Sequence, residues 1–259
     1  MAERRPGASR VADVPPDVLA ALNAGTAEAA TLADGLAVDF AALAAAAFPD
    51  LPADAVRTVR TAAAVGVKQR MERVGQLLLT HLGSDGLARA AAHRSDTVRG
   101  WACFAVALMP GLSLADRLGR IRLLADDPHF GVREWAWMAV RPHVAAELPA
   151  ALAALAPWTA EVSANLRRFA VEVTRPRGVW CAHLPTLKAD PTPGLPLLEP
   201  LRADGARYVQ DSVANWLNDA GKSRPDWVRE LCRRWKVESP GAATGRICAR
   251  AGRNLDRAG

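Results

Sequence analysis

The sequence predicts an all-α protein, a right-handed superhelical solenoid of stacked HEAT-like helical hairpins with a concave inner face. Two observations carry this expectation. A short motif recurs as Val98-Arg99-Gly100-Trp101-Ala102, Val132-Arg133-Glu134-Trp135-Ala136, Leu166-Arg167-Arg168-Phe169-Ala170 and a degenerate Val209-Gln210-Asp211-Ser212-Val213. Its first three copies stand 34 residues apart and the last follows after 43. A unit of that length cannot bury its apolar face alone, so neighbours must stack. Hydrophobic residues also make up 50% of the 259-residue chain, while alternating β-branched stretches of the strand type are few.

Each element has a local reason. Residues 1–14 are polar and basic, end before Pro15-Pro16, and are expected to form a disordered arm. Residues 15–259 show no shift in composition and read as a single HEAT-like domain. Up to residue 95 the pattern is helical, with breaks near Gly35, Pro49, Pro52 and Gly83. Within it, Arg57 to Leu82 reads as one long amphipathic helix, with Val67, Met71, Val74 and Leu78 at helical spacing. Asp96, Asp127, Ser163 and Asp204 stand a few positions before the motif copies and supply caps. Pro142, Pro157, Pro176, the cluster Pro191, Pro193 and Pro196, and Pro225 punctuate the helix pairs, because proline does not continue a helix interior. The last pair is Asp226–Trp235 and Thr244–Leu255. Trp101, Trp135 and Trp216 are assigned to the core between repeats.

The net charge of +6 points to a polyanionic partner. Arginine dominates the 33 basic residues, however, and a GC-rich genome yields such a bias without selection for binding, so charge alone leaves the matter open. Cys103, Cys181, Cys232 and Cys248 lack the paired spacing of a zinc site and sit among apolar residues, as buried thiols do. Cys181 and His183 are too small a set to bind a metal, so neither metal nor other cofactor is expected. No N-terminal apolar segment or run of about 18 apolar residues occurs, and the expectation is a cytoplasmic monomer without a membrane contact.

The start of each inner helix holds the candidate site. The third motif position is Gly100, Glu134, Arg168 and Asp211, and four residues further along the same face come Phe104, Met138, Glu172 and Asn215. Stacking would gather Glu134, Arg168, Glu172, Asp211 and Asn215 into one acidic neighbourhood within a basic protein. A surface built only for phosphates would exclude carboxylates, so their alignment points to a positively charged substrate. Taken singly, Arg168 and Glu172 also fit an ordinary i,i+4 ion pair, and Asp211 also fits a cap or turn. Beyond the helix, Arg175 and Arg177 flank Pro176 and are placed to meet phosphates, with Trp180 beside a ligand.

Three stretches of this chain resemble a known family: Val132–Ala136 with Arg141-Pro142, the run Arg167–Trp180, and Tyr208–Asp219 continuing to Trp235. Over residues 60–255 the chain is similar to the AlkC/AlkD superfamily of HEAT-like DNA alkylation repair glycosylases, and closest to its AlkC branch. Some AlkC proteins carry an additional immunoglobulin-like domain, for which the 259 residues are expected to leave no room. The resemblance implies a monofunctional glycosylase that excises cationic N3- or N7-alkylated bases, such as 3-methyladenine, from double-stranded DNA. It implies that Glu134 and Glu172 face the sugar and lesion, that Asp211 assists, and that Trp180 packs on the deoxyribose. Asp219 competes for the role of Asp211. Arg168, Arg175, Arg177, Arg246, Arg250 and Arg253 are then assigned to phosphates, with Asn215 among the substrate contacts. Two alternatives stand beside this reading. One is a self-resistance glycosylase for bulky natural-product adducts; the other is a non-catalytic HEAT-like scaffold for DNA or protein.

Overall fold

Most of the breaks in the sequence become helix boundaries. The computed structural model describes residues 6–257; it is 74% helical, with no strand among the described residues, as expected for the all-α class. The chain divides into two compact units. One runs up to Ser113 and includes Gly119–Ala139; the other contains Leu114–Leu118 and the chain from Val140 onward.

The first unit holds α1 (Pro16–Asn23), α2 (Leu32–Ala37), α3 (Phe40–Ala47), α4 (Ala53–Thr61), α5 (Val67–Ala91) and α6 (Asp96–Leu108). It also takes most of α7 (Leu114–Ala125) and the start of α8 (Phe130–Ala146). The long helix expected from Arg57 to Leu82 is broken: a 3-10 turn at Ala62–Ala64 and extended Val65 and Gly66 separate α4 from α5. The apolar spacing continues through the break because both pieces face apolar packing, with Ala55, Val59 and Ala62 buried on one side and Met71, Val74 and Leu78 on the other. Gly83, at φ 57°, kinks α5 as its position in the sequence predicts. At Gly75 the helices α5 and α6 nearly touch, since a Cβ there would lie 2.8 Å from the Ala105 backbone nitrogen.

The arm expected to be disordered begins at residues 1–5, which lie outside the described residues. From Pro6 onward the chain is docked. The Ala8 N–H donates to Asp34 at 3.2 Å, the Thr31 hydroxyl donates to the Ala8 carbonyl at 2.7 Å, and Val11–Asp13 forms a 3-10 turn. These bonds satisfy backbone groups that a free arm would leave to water.

The arginine of the repeated motif has a structural task. Arg99 forms a bidentate pair with Asp127 at 2.7 and 3.1 Å and donates to the carbonyls of His93 and Arg94, both at 2.9 Å. In the second unit Arg167 repeats this with Asp204 at 2.7 and 3.1 Å and the carbonyls of Glu161 and Val162, both at 2.8 Å. Each therefore closes the turn before its own helix and grips the aspartate that begins the next repeat. Those aspartates also order the turn ahead of the next helix without capping it as expected: Asp127 accepts from the His129 N–H at 2.7 Å and Asp204 from the Ala206 N–H at 2.8 Å, each donor lying just before its helix begins. Ser163 caps its helix through the Asn165 N–H, whereas Asp96 accepts from the Ala29 N–H, 67 residues upstream.

The second unit holds the remainder of α8, then α9 (Leu148–Leu155), α10 (Ala164–Glu172), α11 (Pro185–Ala189), α12 (Leu195–Leu198), α13 (Arg207–Gly221), α14 (Pro225–Glu238) and α15 (Ala242–Ala251). Helix α13 packs against both α10 and α15. Pro142 does not end a helix but lies inside α8. The ring forfeits one backbone bond, and burial of the flanking Val140 and Val144 supports the helix through it. Trp101 and Trp216 are fully buried, as expected; Trp135 is half-buried, and Trp137 and Trp235 are core residues.

Candidate functional site

The last turn of α10 leads into a loop, 173–182, and the two together place a charged cluster against α13. Glu172 is 3% exposed and accepts from the Ser212 hydroxyl at 2.5 Å and from Arg175 Nη1 at 2.6 Å, with Arg168 Nη2 at 3.7 Å. Burial alone would raise this carboxyl; Arg168, Arg175 and the Ser212 hydroxyl outweigh it and hold it below the usual carboxylate range. Glu172 is therefore ionised at neutral pH. Arg175 reaches further, to Asp219, with Nε at 2.8 Å and Nη2 at 2.7 Å. Its burial opposes the charge, but Glu172 and Asp219 prevail and raise its pKa. Lys222 also meets Asp219, at 3.2 Å, and Arg168 lies over the Tyr208 ring at 4.5 Å.

Asp219, and not Asp211, joins Glu172 in this cluster, with Arg175 as the bridge. Asp211 pairs with Arg246 at 2.7 Å and Arg250 at 3.0 Å, and Asn215 accepts from Arg253 at 3.1 Å. The expected acidic neighbourhood is thus divided by the helix itself. Asp211 and Asn215, four apart, lie on the stripe of α13 that meets α15 and the segment after it, while Ser212 and Asp219, seven apart, lie on the stripe that meets α10 and its loop. Eight residues turn an α-helix about 80° off its starting face, which separates Asp211 from Asp219. Glu134 belongs to the other unit, where it is half-buried and accepts from the Trp137 indole N–H at 2.8 Å. These carboxylates have cationic or N–H partners within the chain. Glu172, Asp211 and Asp219 therefore need no cation from outside to balance them.

The loop residues have local partners too. Arg177 donates from Nε to the Asp219 carbonyl at 3.3 Å and from Nη2 to the Ser223 hydroxyl at 2.8 Å. Trp180 is 48% exposed and sits at φ 56°, the single non-glycine residue with positive φ among those described. Sequence reasoning missed Ser212, Tyr208 and Arg141 as contributors. Ser212 carries no signal, since only the packing of α13 on α10 brings its hydroxyl to Glu172. Tyr208 is the one tyrosine of the chain, and Arg141 is a charge set among apolar Ala139, Val140 and Val144, a pattern that could have marked a buried arginine. Among the described residues no cluster of three His, Cys, Asp or Glu side chains could hold a metal ion, and no helix is long and apolar enough to cross a membrane.

An alkylpurine DNA glycosylase, AlkC of Pseudomonas fluorescens, solved bound to DNA containing an abasic site analog, matches this structure with a TM-score of 0.65 and 29% identity over 83% of the chain. The chain has the AlkC fold. The resemblance to the AlkC/AlkD superfamily read from the residues is therefore upheld. The chain spans 60% of the length of that AlkC chain. A second structure, smu.31 of Streptococcus mutans UA159, matches the same helical fold with a TM-score of 0.59 at 21% identity, over 78% of this chain and 98% of that one. In sequence, an uncharacterized Bacillus subtilis protein, YhaZ, is 40% identical over 102 residues, which is 39% of this chain and 29% of that protein. No family model matches.

Proposed function

We propose that this chain is a DNA glycosylase that releases cationic N3- or N7-alkylated bases, such as 3-methyladenine, by hydrolysing the N-glycosidic bond in duplex DNA. The observation that carries the reading is the match, in fold and at 29% identity, to AlkC held on DNA with an abasic site analog. An abasic site is what base removal leaves behind.

The geometry of the second unit supports the chemistry. Alkylation gives the base a positive charge and weakens its bond to the sugar, and cleavage passes through an oxocarbenium-like cation. An ionised carboxylate stabilises that cation without having to change its protonation state. Glu172, held ionised by two arginines and a hydroxyl, suits this role and is unsuited to protonating a leaving base. A substrate whose base is already cationic needs no such proton. In this reading Trp180 lies against the deoxyribose and Asp219 assists Glu172, while Asp211 and Asn215 contribute from the separate stripe of α13 and Glu134 is a further candidate carboxylate on the other unit. With Glu172 and Asp219 set against Arg168, Arg175 and Lys222, the cluster carries more positive than negative charge, which suits a phosphate backbone. Arg177, Arg246, Arg250 and Arg253 extend that surface. The enzyme works in the cytoplasm as a monomer, with no cofactor.

The deciding experiment is incubation with methylated duplex DNA followed by chromatography of released bases. Free 3-methyladenine is expected. A second reading, a non-catalytic DNA-binding scaffold, draws on the pairing of Asp211 and Asp219 with arginines of the chain itself. DNA binding without base release would establish it. Release of a bulky N7-guanine adduct in preference to 3-methyladenine would redirect the substrate towards natural-product damage.

A further inference from the structure

Loop 173–182 carries Arg175, Arg177 and Trp180, yet it has little regular structure of its own. One buried side chain bonds its main chain at both ends. Arg141, on α8 within the second unit, is 2% exposed and donates from Nη1 to the Val173 carbonyl at 2.8 Å and from Nη2 to the Arg175 carbonyl at 2.6 Å. Its Nε donates to the Ala182 carbonyl at 3.2 Å. Two acceptors therefore lie where the loop departs and one where it returns. The loop also folds back across the guanidinium: a Cβ on Gly178 would stand 3.0 Å from Nε and 3.2 Å from Nη2. A planar fork with fixed donors can tie such points together, and a single ammonium group cannot reach all of them.

We propose that Arg141 is a positioning residue that holds loop 173–182, and with it Arg175 and Trp180, in one conformation. Burial and the neighbouring Arg175 both work against its charge, with Cys181, Glu172 and Asp219 in opposition, and the net effect lowers its pKa. A buried cation that donates to three main-chain carbonyls is organised around the backbone, not around an acidic partner. Trp180 gives this a purpose. At φ 56° its backbone occupies a region that a residue with a side chain enters at a cost, so the surrounding structure must impose it. The link from loop to base release rests on the glycosylase reading; the link from Arg141 to the loop does not.

The experiment compares the full chain with Arg141→Lys and Arg141→Ala by amide hydrogen exchange and by base release from methylated duplex DNA. In both variants exchange at residues 177–182 is expected to rise about tenfold or more, while residues 213–217 of α13 keep their protection. With Arg141→Lys, kcat is expected to fall about tenfold with KM within about twofold, as for an interaction expressed in the transition state. Added guanidinium ion, at concentrations that leave the parental protein unchanged, is expected to restore loop protection in Arg141→Ala. Unchanged exchange in the loop overturns the proposal, as does an equal rise in loop and α13 or a failure of guanidinium to restore protection. If the parental protein releases no base, the glycosylase reading fails, while the exchange and rescue results still judge the role of Arg141.

Discussion

Replacing Arg175 by methionine tests the energetics of the cluster most directly. The substitution keeps an unbranched apolar stem of similar reach and removes the guanidinium that bridges Glu172 and Asp219, each 3% exposed. Breaking a buried pair from one side costs about 3–5 kcal/mol, because the remaining charge stays out of water without its partner. Arg168 and Lys222 keep contacts with the two carboxylates, which favours the lower part of that range. At about 2–4 °C per kcal/mol for a chain of this size, melting should fall by about 6–12 °C. Urea and thermal unfolding at pH 7 measure both quantities. The pH dependence supplies a sign. In the parental protein the Glu172 pKa is depressed by folding, so its contribution is present above the unfolded value and lost as pH falls through the folded one. Without Arg175, burial pushes that carboxyl upward, and protonation relieves the variant as pH falls. The deficit should therefore shrink between pH 7 and pH 4. A loss below about 1 kcal/mol, the size of an exposed pair, or a deficit that grows in acid would refute the reasoning.

Other outcomes follow from the same structure. Glu134→Gln and Glu172→Gln should each lower base excision strongly while DNA affinity stays constant or rises slightly, provided circular dichroism shows an intact fold; parental excision rates in both would remove the carboxylates from the mechanism. DNA affinity should fall steeply with salt, with a log–log slope of roughly −4 to −5 for about five phosphates neutralised, and a flat response in a filter-binding titration would contradict an arginine-lined surface. Gly75→Val should destabilise by about 1–3 kcal/mol in urea, since the new Cβ meets the α6 backbone and neither helix can yield cheaply; a neutral substitution would show that the helices part easily. EDTA should leave excision of 3-methyladenine unchanged and uracil should not be released, because no group is assigned to protonate a neutral leaving base; efficient uracil release in a parallel assay would overturn that logic.

The sequence by itself determined the helical class, the period of the repeats and several of the breaks, because these rest on local physics. The cap at Ser163, the turns that Asp127 and Asp204 order before their helices and the kink at Gly83 act within a few residues and can be read from residue type. The motif's arginine could be read as a repeat but not explained, since its partner lies 28 residues away for Arg99 and 37 for Arg167. The long helix across Gly66 and the stop at Pro142 were misread because apolar spacing and proline each constrain only their own turn. Glu172 and Arg168 were legible as an i,i+4 pair on one face. Which further residues meet Glu172 was decided by the tertiary structure alone, for a physical reason. An 80° turn along α13 leaves Asp211 and Asp219 similar in sequence, but it sends the first to the arginines of α15 and the second, through Arg175, to Glu172.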